Sequence, residues 1–209
     1  MAAVDLDHLA ELIATSPHNL VGKADREAVR SLHIREAEAL AGLLMPSSGS
    51  RWMDLGTGGG LPGLVLAQAH PQASWHLVDA TRKKAAEVRR FAAELDIACT
   101  VSAERAETLG GTAQHRGAYE GLVARAVAPL PGLVELARPF LGHDARAYAV
   151  KGERWRAEVD EAAAALDAVA MELEDVASLP RGVVLVLRAI GPVPGWVPRP
   201  MGQAQHQPV

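Results

Sequence analysis

The segment Asp54-Leu55-Gly56-Thr57-Gly58-Gly59-Gly60-Leu61-Pro62-Gly63 carries the strongest chemical signal in the chain. Glycine tolerates positive φ and lets a ligand approach the backbone with no Cβ in the way. Pro62 suits the first turn of a helix, where its missing N–H would be unpaired in any case. Nineteen residues past Gly60 comes Asp79, at the expected end of a neighbouring strand. A carboxylate there can accept both hydroxyls of a ribose, so the pattern describes a nucleoside-bearing ligand at the mouth of a doubly wound sheet. Two ligands compete. Gly58, Gly60 and Gly63 satisfy the dinucleotide fingerprint G-x-G-x-x-G. Asp54 with Gly56, Gly58 and Gly60 gives D-x-G-x-G-x-G, which suits S-adenosylmethionine. Pyrophosphate wants bare N–H groups at a helix N-terminus, and a nearby carboxylate repels it. A cationic sulfonium amino acid would gain from Asp54, so electrostatics favour the methyl donor. A purely structural turn is the bland alternative, but packing alone does not demand so many glycines.

The elements that must hold this loop are legible from periodicity. Leu6, Leu9, Ala10, Leu12 and Ile13 fall at helical spacing over 5–15, and Ser16-Pro17 ends that helix. A second helix is expected from an Asp25 N-cap to about Met45, before Pro46. From residue 51 short apolar runs alternate with helices. Strands are expected at 52–55, 75–79, 97–102, 119–124, 145–150, 169–176 and 182–189, and helices at 61–69, 81–95, 131–140 and 153–168. Such alternation makes an α/β protein with a parallel sheet covered on both faces, and the closing pair of strands suggests an antiparallel edge. Three regions result: a helical extension over 1–46, the sheet-bearing domain over 47–190, and a Pro-rich tail over 191–209, expected to be disordered or an extended strap.

Composition narrows the classes. The 209 residues include 49% hydrophobic and 22% charged residues, an ordinary globular mix. With a single cysteine, Cys99, no internal disulfide can form, and a reducing, cytoplasmic setting is expected. No apolar run approaches the ~20 residues that span a bilayer, and no secretory signal is recognisable. Net charge is −4, which argues against a dedicated nucleic-acid coat while leaving room for a local basic face. Seven acids and no Lys or Arg occupy 157–180, whereas bases cluster at Arg82-Lys83-Lys84, at Arg89-Arg90, and at Lys151 with Arg154 and Arg156; the bland reading of each is a solvated face. There is no P-loop and no G-x-S-x-G elbow. The eight histidines lack metal-ligand spacing, so no metal is expected. Cys99 reads as a mid-strand core residue, His33 as packed or capping, and Trp52 and Trp75 as core. Trp155 and Trp196 could stack on a base, but more often such residues cover apolar surface.

Several motifs accompany the glycine loop. They are Asn19-Leu20 with His33, Leu77-Val78-Asp79 before Arg82-Lys83-Lys84, Glu104-Arg105-Ala106-Glu107, and Ala124-Arg125-Ala126-Val127-Ala128 with Val150-Lys151-Gly152. With them the chain resembles the bacterial small-subunit ribosomal RNA guanine-N7 methyltransferases, also called the glucose-inhibited division protein B family. Pro198-Arg199, Gly202 and Pro208 resemble the tail of part of that family. The resemblance implies a Rossmann-like class I S-adenosylmethionine-dependent methyltransferase with a seven-stranded, mostly parallel sheet. It also implies that Gly56 and Leu61 line the donor site, that Ala106 and Glu107 flank its adenine, that Asp79 holds the ribose, and that Arg125 lies between donor and target base. The implied partner is 16S ribosomal RNA or the small subunit, met as a monomer. Lys151, Arg181 and Arg199 are candidate phosphate contacts.

Guanine N7 carries a free lone pair at neutral pH and needs no general base, so the protein's task is alignment, on the order of 7–11 kcal/mol. Arginine often grips guanine through O6 and N7 together. Here Arg125 must leave N7 uncovered and contact O6 or a phosphate instead. After His33 the chain reads Ile34-Arg35-Glu36-Ala37, where the family carries Leu-Asp-Ser. That difference keeps a methyltransferase for another RNA or a small molecule in view, beside a dinucleotide-binding oxidoreductase and a non-catalytic binding module.

Overall fold

The computed structural model describes residues 5–209. Helix α1 (Leu6–Thr15) is capped by Asp5, whose carboxylate accepts the N–H groups of Asp7 and His8. A helical path then starts as a 3-10 segment (Lys23–Ala28), widens into a π turn (Val29–Ile34), and becomes regular only in α2 (Arg35–Ala41). The single helix expected from an Asp25 cap is therefore three unlike pieces, and Asp25 lies inside the first. Widening the helix lets Val29, Ile34, Ala37 and Leu40 stay buried while His33 and Glu36 line a cavity.

The remaining elements alternate. β1 (Arg51–Leu55), α3 (Gly63–Ala69), β2 (Ser74–Val78), α4 (Arg82–Glu94), β3 (Thr100–Ser102) and α5 (Ala106–Gly110) form the first half. β4 (Tyr119–Arg125), α6 (Leu130–Ala137), β5 (Leu141–Lys151), α7 (Trp155–Glu161), α8 (Ala163–Ala168), β6 (Met171–Ser178) and β7 (Val183–Ala189) form the second. Among the described residues the strands make one seven-stranded sheet, ordered β3-β2-β1-β4-β5-β7-β6. The first five are parallel, and β7 and β6 run antiparallel at the far edge, as the pattern of the last strands suggests. The sheet's period of two splits the core. Trp52, Trp75 and Leu77 face α1, α2, α3 and α4, so the N-terminal helices share one core with that face. Met53, Leu55, Leu122 and Ala124 face α5, α6 and α8.

Three local expectations change. β3 spans only Thr100–Ser102, three residues paired with His76–Val78 of β2. Cys99 therefore lies outside the strand, half-buried, its thiol pushed up to about 11 by burial. The predicted helix over 153–168 breaks at Ala162 into α7 and α8. The tail is an ordered strap ending in α9 (Gln203–His206), with Val197 and Ala204 fully buried. Its start is tied down by Arg138, a guanidinium with no exposure that donates to the carbonyls of Val169, Leu141 and Gly191. The acidic stretch is partly matched by bases. On edge strand β6, Glu172 pairs with Arg188 and Glu174 with Arg146.

A polar cluster ties three parallel strands together. His76 on β2 contacts the Tyr119 hydroxyl of β4 at 2.8 Å and the Ser102 hydroxyl of β3 at 2.7 Å, and His115 contacts the same Tyr119 hydroxyl at 2.7 Å. Burial, with His115 and Arg51 nearby, pushes the His76 imidazole down to about 4. The unfolded chain then binds the extra proton between pH 6.5 and 4, so stability falls as pH falls through that window. Relative to His76→Gln, the wild-type protein is expected to lose about 2 kcal/mol between pH 7 and pH 5 in urea denaturation. Parallel pH profiles for the two proteins would contradict this.

Candidate functional site

The strand order reverses between β1 and β4: the chain runs outward through β2 and β3 on one side and through β5 on the other. Loops after these two strands diverge and leave a crevice at their C-terminal ends, where doubly wound folds bind ligands. Leu55 is level with Val78 and with Ala124, so residues following β1, β2 and β4 meet at one height.

Two carboxylates shape the loop after β1. Asp79 accepts the Gly58 N–H at 2.9 Å and the Thr81 N–H at 2.7 Å, binding the glycine loop to the end of β2. Asp54, fully buried, accepts the Gly63 N–H at 2.9 Å and so fixes the start of α3. A Cβ at Gly63 would meet Asp54 Oδ2 at 2.5 Å and Leu77 at 2.7 Å, so only glycine permits this approach. Gly56 has φ +76°, and a Cβ on it would strike Val127 at 2.6 Å. Burial raises the Asp54 carboxyl to about 6.

A cavity of about 410 Å³ opens beside the loop. Of the residues expected to bind a donor, Gly56, Gly58, Leu61, Asp79, Ala106, Glu107 and Arg125 line it. Two do not. Asp54 lies beneath the loop, not on the wall, because it is needed to hold α3. Gly60 lies behind the loop, against Leu64 and Val88. Burial disfavours charge on Glu107, but the Gly202 N–H and the Arg105 guanidinium outweigh it and hold the carboxyl below its ordinary range. Its Oε2 is buried without a partner, as is Oε1 of Gln205, which also lines the cavity. A nucleoside offering ribose hydroxyls to Asp79 and an amino group to these acceptors fits the wall as it stands.

Arg125, at the end of β4, separates this cavity from a second, more open one of about 990 Å³. Its guanidinium donates to Glu36 Oε2 at 3.0 Å and to the Leu61 carbonyl at 3.3 Å. His33 lines the second cavity, and burial followed by the charge of Arg125 lowers its pKa. Arg181 is exposed at the rim of that cavity. Lys151 also lines it, but its ammonium donates to the Ala128 carbonyl at 2.9 Å and to Glu158 at 2.7 Å, so it positions the loop after β4 instead of presenting a free charge to a phosphate. Arg199 is further removed: both its bonds to buried Glu135, 2.5 and 2.6 Å, anchor the strap. Sequence reasoning missed Glu36 and Gln205. Glu36 reaches Arg125 across 89 residues through an irregular helix, and Gln205 sits in a tail with no apolar rhythm.

The Asp54 carboxyl gives a measurable signature. Its raised folded pKa means the folded state binds the extra proton between pH 6 and 3.8, so this group lowers stability as pH rises through that window, opposite in sign to His76. Asn keeps an acceptor for the Gly63 N–H. Asp54→Asn is expected to remove the roughly 1 kcal/mol that this carboxyl contributes on going from pH 7 to pH 5. Denaturation of variant and wild type at both values checks it.

Comparison with known proteins agrees with this arrangement. Residues 5–184 match the family described as rRNA small subunit methyltransferase G. The ribosomal RNA small subunit methyltransferase G of Sorangium cellulosum is 38% identical over 191 residues, covering 90% of this chain and 80% of the relative. That of Thermotoga neapolitana is 34% identical over 208 residues, covering 97% and 89%. Among solved structures, a ribosomal protein L11 methylase from Lactobacillus delbrueckii superposes with TM-score 0.57 at 17% identity, covering 75% of this chain and 77% of that one. The geranyl diphosphate C-methyltransferase of Streptomyces coelicolor superposes with TM-score 0.58 at 14% identity, covering 85% and 84%. The structures share the fold alone. By sequence over most of its length, the chain belongs to the rRNA small subunit methyltransferase G family.

Proposed function

We infer that this protein transfers a methyl group from S-adenosylmethionine to N7 of a guanosine in 16S ribosomal RNA of the small subunit. The observation that carries this is the pair of cavities meeting at Arg125, one sized for a nucleoside donor and one open to a larger substrate. Family membership decides between the methyl donor and the dinucleotide. When bound, the donor supplies an electrophilic methyl on a sulfonium. Asp79 would take its ribose, the Gly56–Gly58 backbone and Leu61 its flank, and Ala106 and Glu107 its base. Among the described residues no helix is long and apolar enough to cross a membrane, and no cluster of three or more His, Cys, Asp or Glu side chains could hold a metal. A cytoplasmic monomer acting on the small ribosomal subunit is the accompanying reading.

The protein's residues need only bind and align. N7 needs no base; beside Arg125 the second cavity holds ion-paired Glu36 and His33, whose pKa burial lowers, and Asp25, Glu153 and Glu158 line it as well. Arg125 is already held by Glu36 and the Leu61 carbonyl, so its guanidinium is oriented before substrate arrives. Glu36 also offsets the cation of Arg125 near a base that becomes positively charged on methylation. Arg181 remains the exposed cation at the rim for a phosphate.

Hypomethylated small subunits incubated with labelled donor should gain label at one guanosine, and that position should become sensitive to borohydride and aniline cleavage, which reports N7 methylation. Label on another atom, or only on free metabolites, would reject the assignment. Arg125→Ala should lower turnover by roughly 100-fold, a loss of alignment, and weaken affinity for S-adenosylhomocysteine by much less. Glu36→Gln should show a smaller loss with the same split, since Arg125 keeps its bond to Leu61.

A further inference from the structure

From the strap over 191–206 only Arg199 was expected to meet a ligand, as a phosphate contact, yet the strap places Gln205 on the wall of the donor cavity. Its position is fixed by independent contacts. Arg199 grips buried Glu135 with two bonds. The Gly202 N–H donates to Glu107 Oε1 at 2.9 Å. The Ala204 carbonyl lies so close to α6 that a Cβ on Gly132 would come within 2.4 Å of it. These contacts deliver Gln205 to the cavity wall, where its Oε1 is buried and lacks a partner. Beside it stands Glu107, whose side chain is only 7% exposed and whose Oε2 also lacks a partner. Arg105 Nε, on the same cavity, is a buried donor without a partner, so the wall offers two acceptors and one donor. The two acceptors call for a ligand group with N–H donors, because an unsatisfied buried acceptor is costly.

The order of residues around the cavity identifies which group. Gly56 and Arg125 follow the central strands β1 and β4, Asp79 follows β2, and Glu104 to Glu107 follow β3. With the ribose on Asp79, the base extends towards Glu107 and Gln205, while the amino-acid arm lies back towards Gly56 and Arg125. On the donor reading above, we propose that Gln205 accepts a hydrogen bond from the exocyclic amino group of the donor's adenine, so that the C-terminal strap reads the base. Adenine offers an N–H donor at that position; hypoxanthine offers a carbonyl, which would oppose both acceptors.

Calorimetry on the full chain tests this with S-adenosylhomocysteine and S-inosylhomocysteine. The wild-type protein should bind the inosine compound at least about tenfold more weakly. Gln205→Ala should weaken binding of S-adenosylhomocysteine by about tenfold and shrink the ratio between the two ligands. Gln205→Glu, which keeps an acceptor, should restore the ratio. Equal wild-type affinity for both ligands, or a ratio unchanged in Gln205→Ala, would overturn the role of Gln205 while leaving the donor assignment intact. Failure of the wild-type protein to bind S-adenosylhomocysteine at all would overturn both. Glu107 alone could give a wild-type preference for adenine, so the variants assign it to Gln205. Should Gln205→Ala fold poorly, Gln205→Met, which keeps the side chain's length without the acceptor, should shrink the ratio in the same way, and an unchanged ratio there would equally overturn the role of Gln205.

Discussion

Two carboxylates gripping one glycine loop are the constraint on which this molecule is organised. Asp54 draws the N-terminus of α3 against β1, and Asp79 draws the loop's midpoint against β2. Beyond buried Thr57 and Leu61 the loop has few side chains of its own with which to hold a shape. Its form comes from these two acceptors and from the absence of Cβ atoms at close approaches. The cost is a buried carboxyl raised well above its ordinary range. Asp79 meets backbone N–H groups with both oxygens and Asp54 with Oδ2 alone, its Oδ1 staying buried without a partner.

The site asks little of proton chemistry. A nucleophile with a free lone pair needs approach and orientation, and the side chains around Arg125 are arranged for that. Most of the charged groups nearby are already partnered: Arg125 with Glu36, Lys151 with Glu158, Arg105 with Glu107. Pairing fixes side chains in advance and lowers the entropy lost on binding. It also explains how a chain of net charge −4 can present a selective local surface to a polyanion, with exposed bases such as Arg181 at the rim and neutralised pairs within.

Much of this was legible in the sequence, for identifiable reasons. The glycine run, Asp79 and the alternation of apolar strands with helices are local signals with short periods, and the fold followed from them, whereas Leu61, Ala106, Glu107 and Arg125 were marked only by the family resemblance. Asp54 was read as an electrostatic partner of the ligand because it sits at the right spacing. Spacing does not say on which side of a loop a carboxylate lies, and the Gly63 N–H claims it. Lys151 and Arg199 looked like free cations because their acids, Glu158 and Glu135, are recognisable as partners only once helices α6 and α7 are packed. That the strap is ordered and ends in a helix was illegible, because prolines and polar residues carry no rhythm and its order comes from contacts with the finished body.

The strap is knotted at both ends. Arg138 holds the Gly191 carbonyl near its start, and Glu107 holds the Gly202 N–H near its finish. Between those knots the chain has a set span to cover, with buried Val197 as a stud midway. Its length is therefore a measured quantity, like a belt buckled at one hole. A residue added or removed there would slide α9 along the protein or slacken the loop. Related chains should conserve the residue count of this stretch more strictly than its sequence outside Val197 and Arg199.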